Sequence, residues 1–523
     1  MKPGFQRAIV AVTTMMTTFL VMLDMTIANV ALDHMRGTLS AGVDEITWVL
    51  TSFLVANAIS LPVSGWLTDL LGRKRLFIIA TVAFTITSAV CGAAPSLIVI
   101  VLMRFLQGLA GGPLVPLSQA TMMETFPGSQ RGMAMAIWGI GIMFAPIIGP
   151  TLGGWITDNW SWRWVFYINV PVGVAAVVMA WLFVPDSTTE RRAVRRVDVA
   201  GLVLLIVGVS ALQFVLDRGQ REDWFESSMI VSLSVVAAIA LIGLVVRELR
   251  AEEPVIDLRV LRHPTFAVAT AAMFVISIAF YGIMVLSPLY TQILMGYTAM
   301  LAGMVLTPGG ISTLVTMPVA GALMTRTDPR WMIVFGCALN AYAMYLMATL
   351  SLDASYWQIM LPRLVQGFGI GFTFVPMSTV ALGAVPAREL GHASGLFNFT
   401  RTIAGSIGIA AMSTLLARGS QVHQVRLAAH MSPYDPDVWE RVQKLTEMFV
   451  ARGADAVTAE QQAWAQLYAI VRREAMALSF IDNFWRLAWI FVAVIPFVLF
   501  LGRRAQRAQA PADVERAATL VES

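Results

Sequence analysis

The residue most able to do chemistry is an acid in an unlikely place. Asp24 sits near the middle of the apolar stretch "FLVMLDMTIANVAL", residues 19–32. Among the apolar runs of the chain it is the one acid that falls in a run's interior, whereas Asp69 and Glu124 lie at the inner ends of theirs. An ionisable group at bilayer depth costs a few kcal/mol or more and by default marks a proton, ion or substrate pathway. Thr13, Thr17 and Asp24 share one helical face, so this polar stripe is expected to turn toward other helices and away from lipid.

A basic residue stands at matching depth. Asp24 is about eight residues from the outer end of its run and Arg104 about seven from its own, so both are about 10–12 Å deep at helical rise. The expectation is that Asp24 carries a proton with Arg104 tuning it. Donation from Arg104 to backbone carbonyls, holding a helix junction, remains an equal alternative.

Further intramembrane polar groups are Asn29 and Gln107 in the first half of the chain, and Arg363, Gln366, Asn398 and Arg401 in the second. They are the candidates for lining a substrate cavity. Three basic groups against one acid favour lipophilic or amphiphilic molecules that are neutral or weakly anionic.

Other chemistries lack their residues. The three lysines, Lys2, Lys74 and Lys444, fall in no GxxxxGK[ST] loop, so an ATP-driven machine is disfavoured. There is no HExxH, and the histidines, His34, His263, His392, His423 and His430, lie at run ends or in loops. Neither an enzyme nor a metal or cofactor site is expected. Cys91 and Cys337 both lie inside apolar runs and read as packing residues.

The elements that must position these groups are membrane spans. Of 523 residues 57% are hydrophobic and 13% charged, with mean hydropathy +0.72, which describes an all-α membrane protein. Runs able to span occur at 8–32, 48–67, 76–94, 97–119, 134–156 and 165–184, then at 199–216 and 228–246. Six more follow at 265–290, 301–324, 331–350, 356–384, 393–416 and 484–501. The first run is too long for a signal h-region and is expected to stay as a span.

Fourteen spans with both termini cytoplasmic put most arginines of the short loops inside, including Arg73, Arg75, Arg131, Arg191, Arg192, Arg247, Arg326 and Arg388. The short outer loops keep only Arg36, Arg163, Arg218 and Arg221. That asymmetry is the positive-inside rule, and the net charge of +4 therefore implies no nucleic-acid partner. One long polar segment, 417–483, lies outside and is a candidate docking surface.

The chain also repeats itself. "RFLQGLAGG" from Arg104 recurs as "RLVQGFGIG" from Arg363, and at the same offset Gly132 meets Gly391 and Gly149 meets Gly408. "GWLTDLLGRKR" from Gly65 aligns with "GALMTRTDPRW" from Gly321, where Thr325 replaces Asp69. Three units follow: 1–184, a six-helix bundle; 185–264, two inserted helices; and 265–523, a second six-helix bundle that includes the outer segment. Duplicated bundles place a binding site at the repeat interface and expose it alternately to each side, which is the design of a transporter.

These motifs resemble the major facilitator superfamily, and within it the 14-span drug/proton antiporter branch. "LDMTIANVAL" is similar to that branch's first-helix signature, and "GWLTDLLGRKR" to the superfamily's loop motif between spans two and three. "RFLQGLAGGPLVPLSQA" resembles the fourth-span arginine motif and "GIMFAPIIGPTLGG" the fifth-span antiporter motif. Asp33 departs from the pattern, standing where the signature usually continues with proline.

The resemblance implies a major facilitator fold and proton-driven efflux of lipophilic compounds from the bacterial inner membrane. It assigns an inner gate to Gly65, Asp69, Gly72, Arg73 and Arg131, with Asp69 expected to pair with Arg73 or Arg131. It assigns the antiporter motif to Gly149, Pro150, Gly153 and Gly154, whose residues alone imply a kinked, tightly packed helix. It further implies an EmrA-like periplasmic adaptor and a TolC-like outer-membrane channel. A proton-coupled carrier of a specific metabolite or fatty-acid-like substrate, or a transporter-like receptor, is the alternative.

Overall fold

The computed structural model describes residues 3–184, 198–431 and 435–499. Lys2, Arg191 and Arg192, and the side chains of Asp33 and Pro150, lie outside the described part. Among the described residues all regular structure is helical. Among these residues thirteen helices are long and apolar enough to cross a membrane, and one bent pair supplies a fourteenth.

The first bundle comprises α1 (Pro3–Leu39), the short α2 (Val43–Ile46), α3 (Trp48–Leu71), α4 (Arg73–Ala93), α5 (Leu97–Gly111), α6 (Leu114–Thr125), α7 (Arg131–Asn159), the short α8 (Trp164–Tyr167) and α9 (Asn169–Phe183). α10 (Val199–Arg218) and α11 (Ser228–Arg250) are the inserted pair. The second bundle comprises α12 (Pro264–Leu289), α13 (Ala299–Leu323), α14 (Pro329–Ala348), α15 (Tyr356–Gly383), α16 (Leu390–Ala428), α17 (Pro436–Ala451) and α18 (Ala456–Leu499). α5 and α6 form one span, interrupted at Gly112 and Pro113, where proline has no N–H for the helical ladder.

The expected kink is present. Gly128–Pro146 and Thr151–Asn159 meet at 41°, around the "GPTLGG" motif of α7. Gly149 and Gly153 lie against α1, where a Cβ on Gly153 would stand 2.8 Å from Ile27 Cγ1. The motif thus lets α7 bend while its backbone presses on the helix that carries Asp24.

Two elements run beyond their apolar stretches. The outer segment is helical: α16 continues to Ala428, α17 folds back, and α18 runs from Ala456 through the final span. Val438, Val442, Ala463 and Leu467 give this hairpin its own apolar cluster, because amphipathic helices outside lipid must bury their apolar faces on each other. Second, α11 extends to Arg250, so Glu248 sits in its last turn at 1% exposure.

The bundles meet toward the ends that carry Arg73 and Arg388, here the arginine-rich side. α3 faces α16 along one seam and α7 faces α13 along the other. At the second seam Gly132 and Gly321 are backbone to backbone: a Cβ on Gly132 would lie 2.9 Å from the Gly321 carbonyl oxygen. Toward the opposite side the inserted pair touches both bundles. Thr51 Oγ1 of α3 donates to Asp217 Oδ2 at 3.0 Å, and Gln213 Nε2 donates to Ser406 Oγ of α16 at 2.8 Å. Trp224 Nε1 adds a 3.0 Å bond to Thr414 Oγ1.

Candidate functional site: a buried carboxylate held by three donors

Asp24 and Arg104 meet. They form an ion pair through Arg104 Nη1 and Asp24 Oδ2, with the side chains 1% and 0% exposed respectively. Two amides complete the carboxylate's shell: Gln107 Nε2 donates to Oδ1 at 3.1 Å and Asn169 Nδ2 donates to the same oxygen at 2.8 Å. Every contact to Asp24 therefore comes from a donor, which is the arrangement a buried charge requires.

The helices explain the convergence. Gln107 follows Arg104 by three residues on α5, so both project from one face toward α1, and Arg104 Nη1 also donates to Gln107 Oε1 at 3.0 Å. Asn169 opens α9 and donates to Ser88 Oγ of α4 at 3.1 Å, which in turn donates to the Phe166 carbonyl at 2.9 Å. Three spans thus meet at one carboxylate, and α4 braces one of its donors. Arg104 contacts Asp24 and a backbone carbonyl at once, since its Nε donates to the Val49 carbonyl at 3.1 Å. Its guanidinium also lies 4.3 Å from the Phe53 ring centroid.

Sequence reasoning missed Asn169 and read Gln107 as a cavity residue. Gln107 is fully buried on Asp24. The signal for Asn169 was an amide at the start of an apolar run, which without Asp24 in place looks like an ordinary span boundary.

The gate motif pairs differently from the expectation. Asp69 bonds neither Arg73 nor Arg131; its Oδ2 accepts from His392 Nε2 of α16 at 3.0 Å. Arg73 instead pairs with Glu124 at the end of α6, and Arg131 Nε donates to the Met123 carbonyl at 3.1 Å. The reason is position: Asp69 projects across the seam because Gly65, one turn earlier, lets α16 approach until a Cβ would meet His392 Cα at 2.8 Å. Gly72, at φ +81°, makes the turn that sends α4 away from α3. Thr325, in the degenerate second copy, only donates to its own helix at Ala322.

The cavity candidates separate into three places. Asn29 is exposed and donates to Met25. Asn398 and Arg401 lie at the interface between bundles: Asn398 Nδ2 donates to Gln119 Oε1 of α6 at 2.6 Å, and the Arg401 guanidinium lies 5.5 Å from the Phe374 ring. Phe374 stacks on Trp138 of α7 at 6.1 Å. Three polar atoms there are buried without partners, namely Gln119 Nε2, Asn398 Oδ1 and Arg401 Nε. Arg363 and Gln366 are bonded to each other inside the second bundle.

The Major Facilitator Superfamily model matches residues 14–409. The chain is 36% identical to the Multidrug export protein EmrB of Escherichia coli (strain K12), covering 95% of this chain and 96% of that one. It is 37% identical to the EmrB of Haemophilus influenzae, over 92% and 94% of the two chains. Among solved structures, the proton:xylose symporter XylE, bound to 6-bromo-6-deoxy-D-glucose, superposes with a TM-score of 0.60 at 13% identity, covering 96% and 97%.

Proposed function

The chain belongs to the major facilitator superfamily, and from that premise we propose that it is a proton-driven multidrug efflux antiporter for lipophilic or amphiphilic compounds. The observation that carries the reading is the buried Asp24, held by Arg104, Gln107 and Asn169. Its likeness to the EmrB multidrug export proteins supports the substrate class.

In the mechanism, Asp24 is the proton carrier. Both carboxylate oxygens accept hydrogen bonds from donors, so an arriving proton takes one oxygen and displaces a donor, Arg104 or an amide. Loss of the Asp24–Arg104 bond frees α1 relative to α5. Gly149 and Gly153 sit directly on the stretch of α1 just beyond Asp24, so α7 feels that change, and α7 forms the seam with α13. Proton loading is thereby linked to the fit between bundles.

The units 1–184 and 265–523 rock against each other, with 185–264 as the inserted pair. Asp69, Gly65, Gly72, Arg73 and Arg131 act as the gate on the arginine-rich side, which faces the cytoplasm along with both termini. Substrate binds between the bundles near Asn398, Arg401 and Phe374. In the inner membrane the hairpin of α17 and α18 projects outward and serves as the contact for an EmrA-like adaptor and a TolC-like channel.

The test is flux of a lipophilic dye in proteoliposomes of defined orientation. An imposed proton gradient should drive extrusion, and Asp24→Asn should abolish the gradient dependence. Normal gradient-driven transport by that variant, or no response of the native protein to the gradient, would sink the proposal.

A further inference from the structure

The two bundles are built on one plan, yet their intramembrane arginines are not equally provided for. In the first, Arg104 Nη1 donates to Gln107 Oε1, three residues on, and to Asp24 of α1. In the second, Arg363 Nη1 donates to Gln366 Oε1, again three residues on, at 2.5 Å, and to Ser287 Oγ of α12 at 2.9 Å. α1 and α12 are the opening helices of their bundles. Ser287 therefore stands in the second bundle where Asp24 stands in the first, with a hydroxyl in place of the carboxylate.

The remaining contacts sharpen the difference. Arg104 is 1% exposed, and its Nε is satisfied by a carbonyl. Arg363 is partly exposed, and its Nε is buried with no partner. Among the described residues no carboxylate lies within ion-pair distance of Arg363, although Glu and Asp partner other arginines at the rims. Arg363 remains charged in any setting, so its cradle is a fixed cation with an open donor, Nε, in a low-dielectric site.

The geometry points to an anion as the missing component: the acidic head, a carboxylate, of an amphiphilic substrate seats on Arg363 in the position that Asp24 holds in the first bundle. Arg401 does not fill this role, because it faces Phe374 at the interface between bundles. The inference rests on the proposed export function only for the statement that the anion is a transported substrate.

Ser287→Asp is the direct test, since it copies the first bundle and supplies the cradle with an internal carboxylate. The probes are a dansyl-labelled undecanoic acid and its methyl ester, titrated by fluorescence against the purified full-length protein. The native protein should bind the acid about tenfold or more better than the ester, the range of a charge-assisted hydrogen bond. Ser287→Asp and Arg363→Gln should each bring that ratio to about one, while Arg363→Lys keeps part of it as a point charge. Equal binding of acid and ester by the native protein overturns the assignment, as does a ratio that survives in monodisperse Ser287→Asp. If Ser287→Asp does not yield folded protein, Arg363→Gln decides by the same ratio. Gradient-driven efflux of the ester is scored separately. Efflux without acid preference removes the anion subsite and leaves the export function standing; acid preference without efflux supports the subsite and removes the function.

Discussion

His392 of the second bundle donates from Nε2 to the Asp69 carboxylate of the first, 3.0 Å away, across a seam where Gly65 brings the two helices into backbone contact. His392 is 9% exposed and Asp69 24%. Nearby, Ser394 Oγ donates to the Pro116 carbonyl at 3.0 Å, so α16 is tied to the first bundle at more than one level. In the proposed rocking these bonds hold the arginine-rich side closed and break when it opens.

His392→Ala should loosen that closure. One lost hydrogen bond of this kind is worth about 1 kcal/mol, so the open population should rise about fivefold. Thiol labelling of Ser64→Cys, buried in the seam at 1% exposure, reads the change from the arginine-rich side. His392→Gln, which keeps a donor, should label less than His392→Ala. Equal labelling of all three backgrounds would show that the bond does not hold the seam.

Asp24→Asn should destabilise the fold as well as uncouple it. Removing one partner of a buried pair leaves Arg104 uncompensated, at a cost of about 3–5 kcal/mol. Adding Arg104→Gln should restore most of the thermal stability without restoring gradient-driven transport. Recovery of transport in the double variant would place the proton elsewhere.

Gly132→Val should keep the protein from closing toward the arginine-rich side. Its Cβ would lie 2.9 Å from the Gly321 carbonyl oxygen, and the backbone there has no flexible end to yield. Distances between spin labels on α7 and α13 should lengthen and transport should fall by about tenfold or more, the scale of about 1–3 kcal/mol of overpacking. Unchanged distances would mean the seam tolerates a side chain.

Gln213→Ala and Trp224→Phe should detach the inserted pair from the second bundle. Each removes one side-chain bond to α16, worth about 1 kcal/mol, and they should be near additive because they contact different residues, Ser406 and Thr414. Thermal unfolding of the single and double variants measures this.

Removing residues 421–472 should abolish co-purification of the adaptor while leaving flux in proteoliposomes in place. The hairpin has its own apolar cluster and so can be removed without opening the membrane core. Undiminished co-purification would assign the adaptor contact elsewhere.

The sequence by itself determined the spans, the duplication and the pairing level of Asp24 with Arg104. Hydrophobic runs, arginine asymmetry and helical rise are local or one-dimensional properties, and lipid enforces them on each helix separately. The tertiary structure decided which polar groups share a carboxylate and which face a seam. Asn169 and His392 looked unremarkable because their roles depend on partners 145 and 323 residues away along the chain. The same holds for Ser287, which is an ordinary serine until folding sets it before Arg363 as the counterpart of Asp24. In a bilayer a buried polar group takes its meaning from the donors and acceptors that helix packing brings to it, and packing is not written in the hydropathy of any single span.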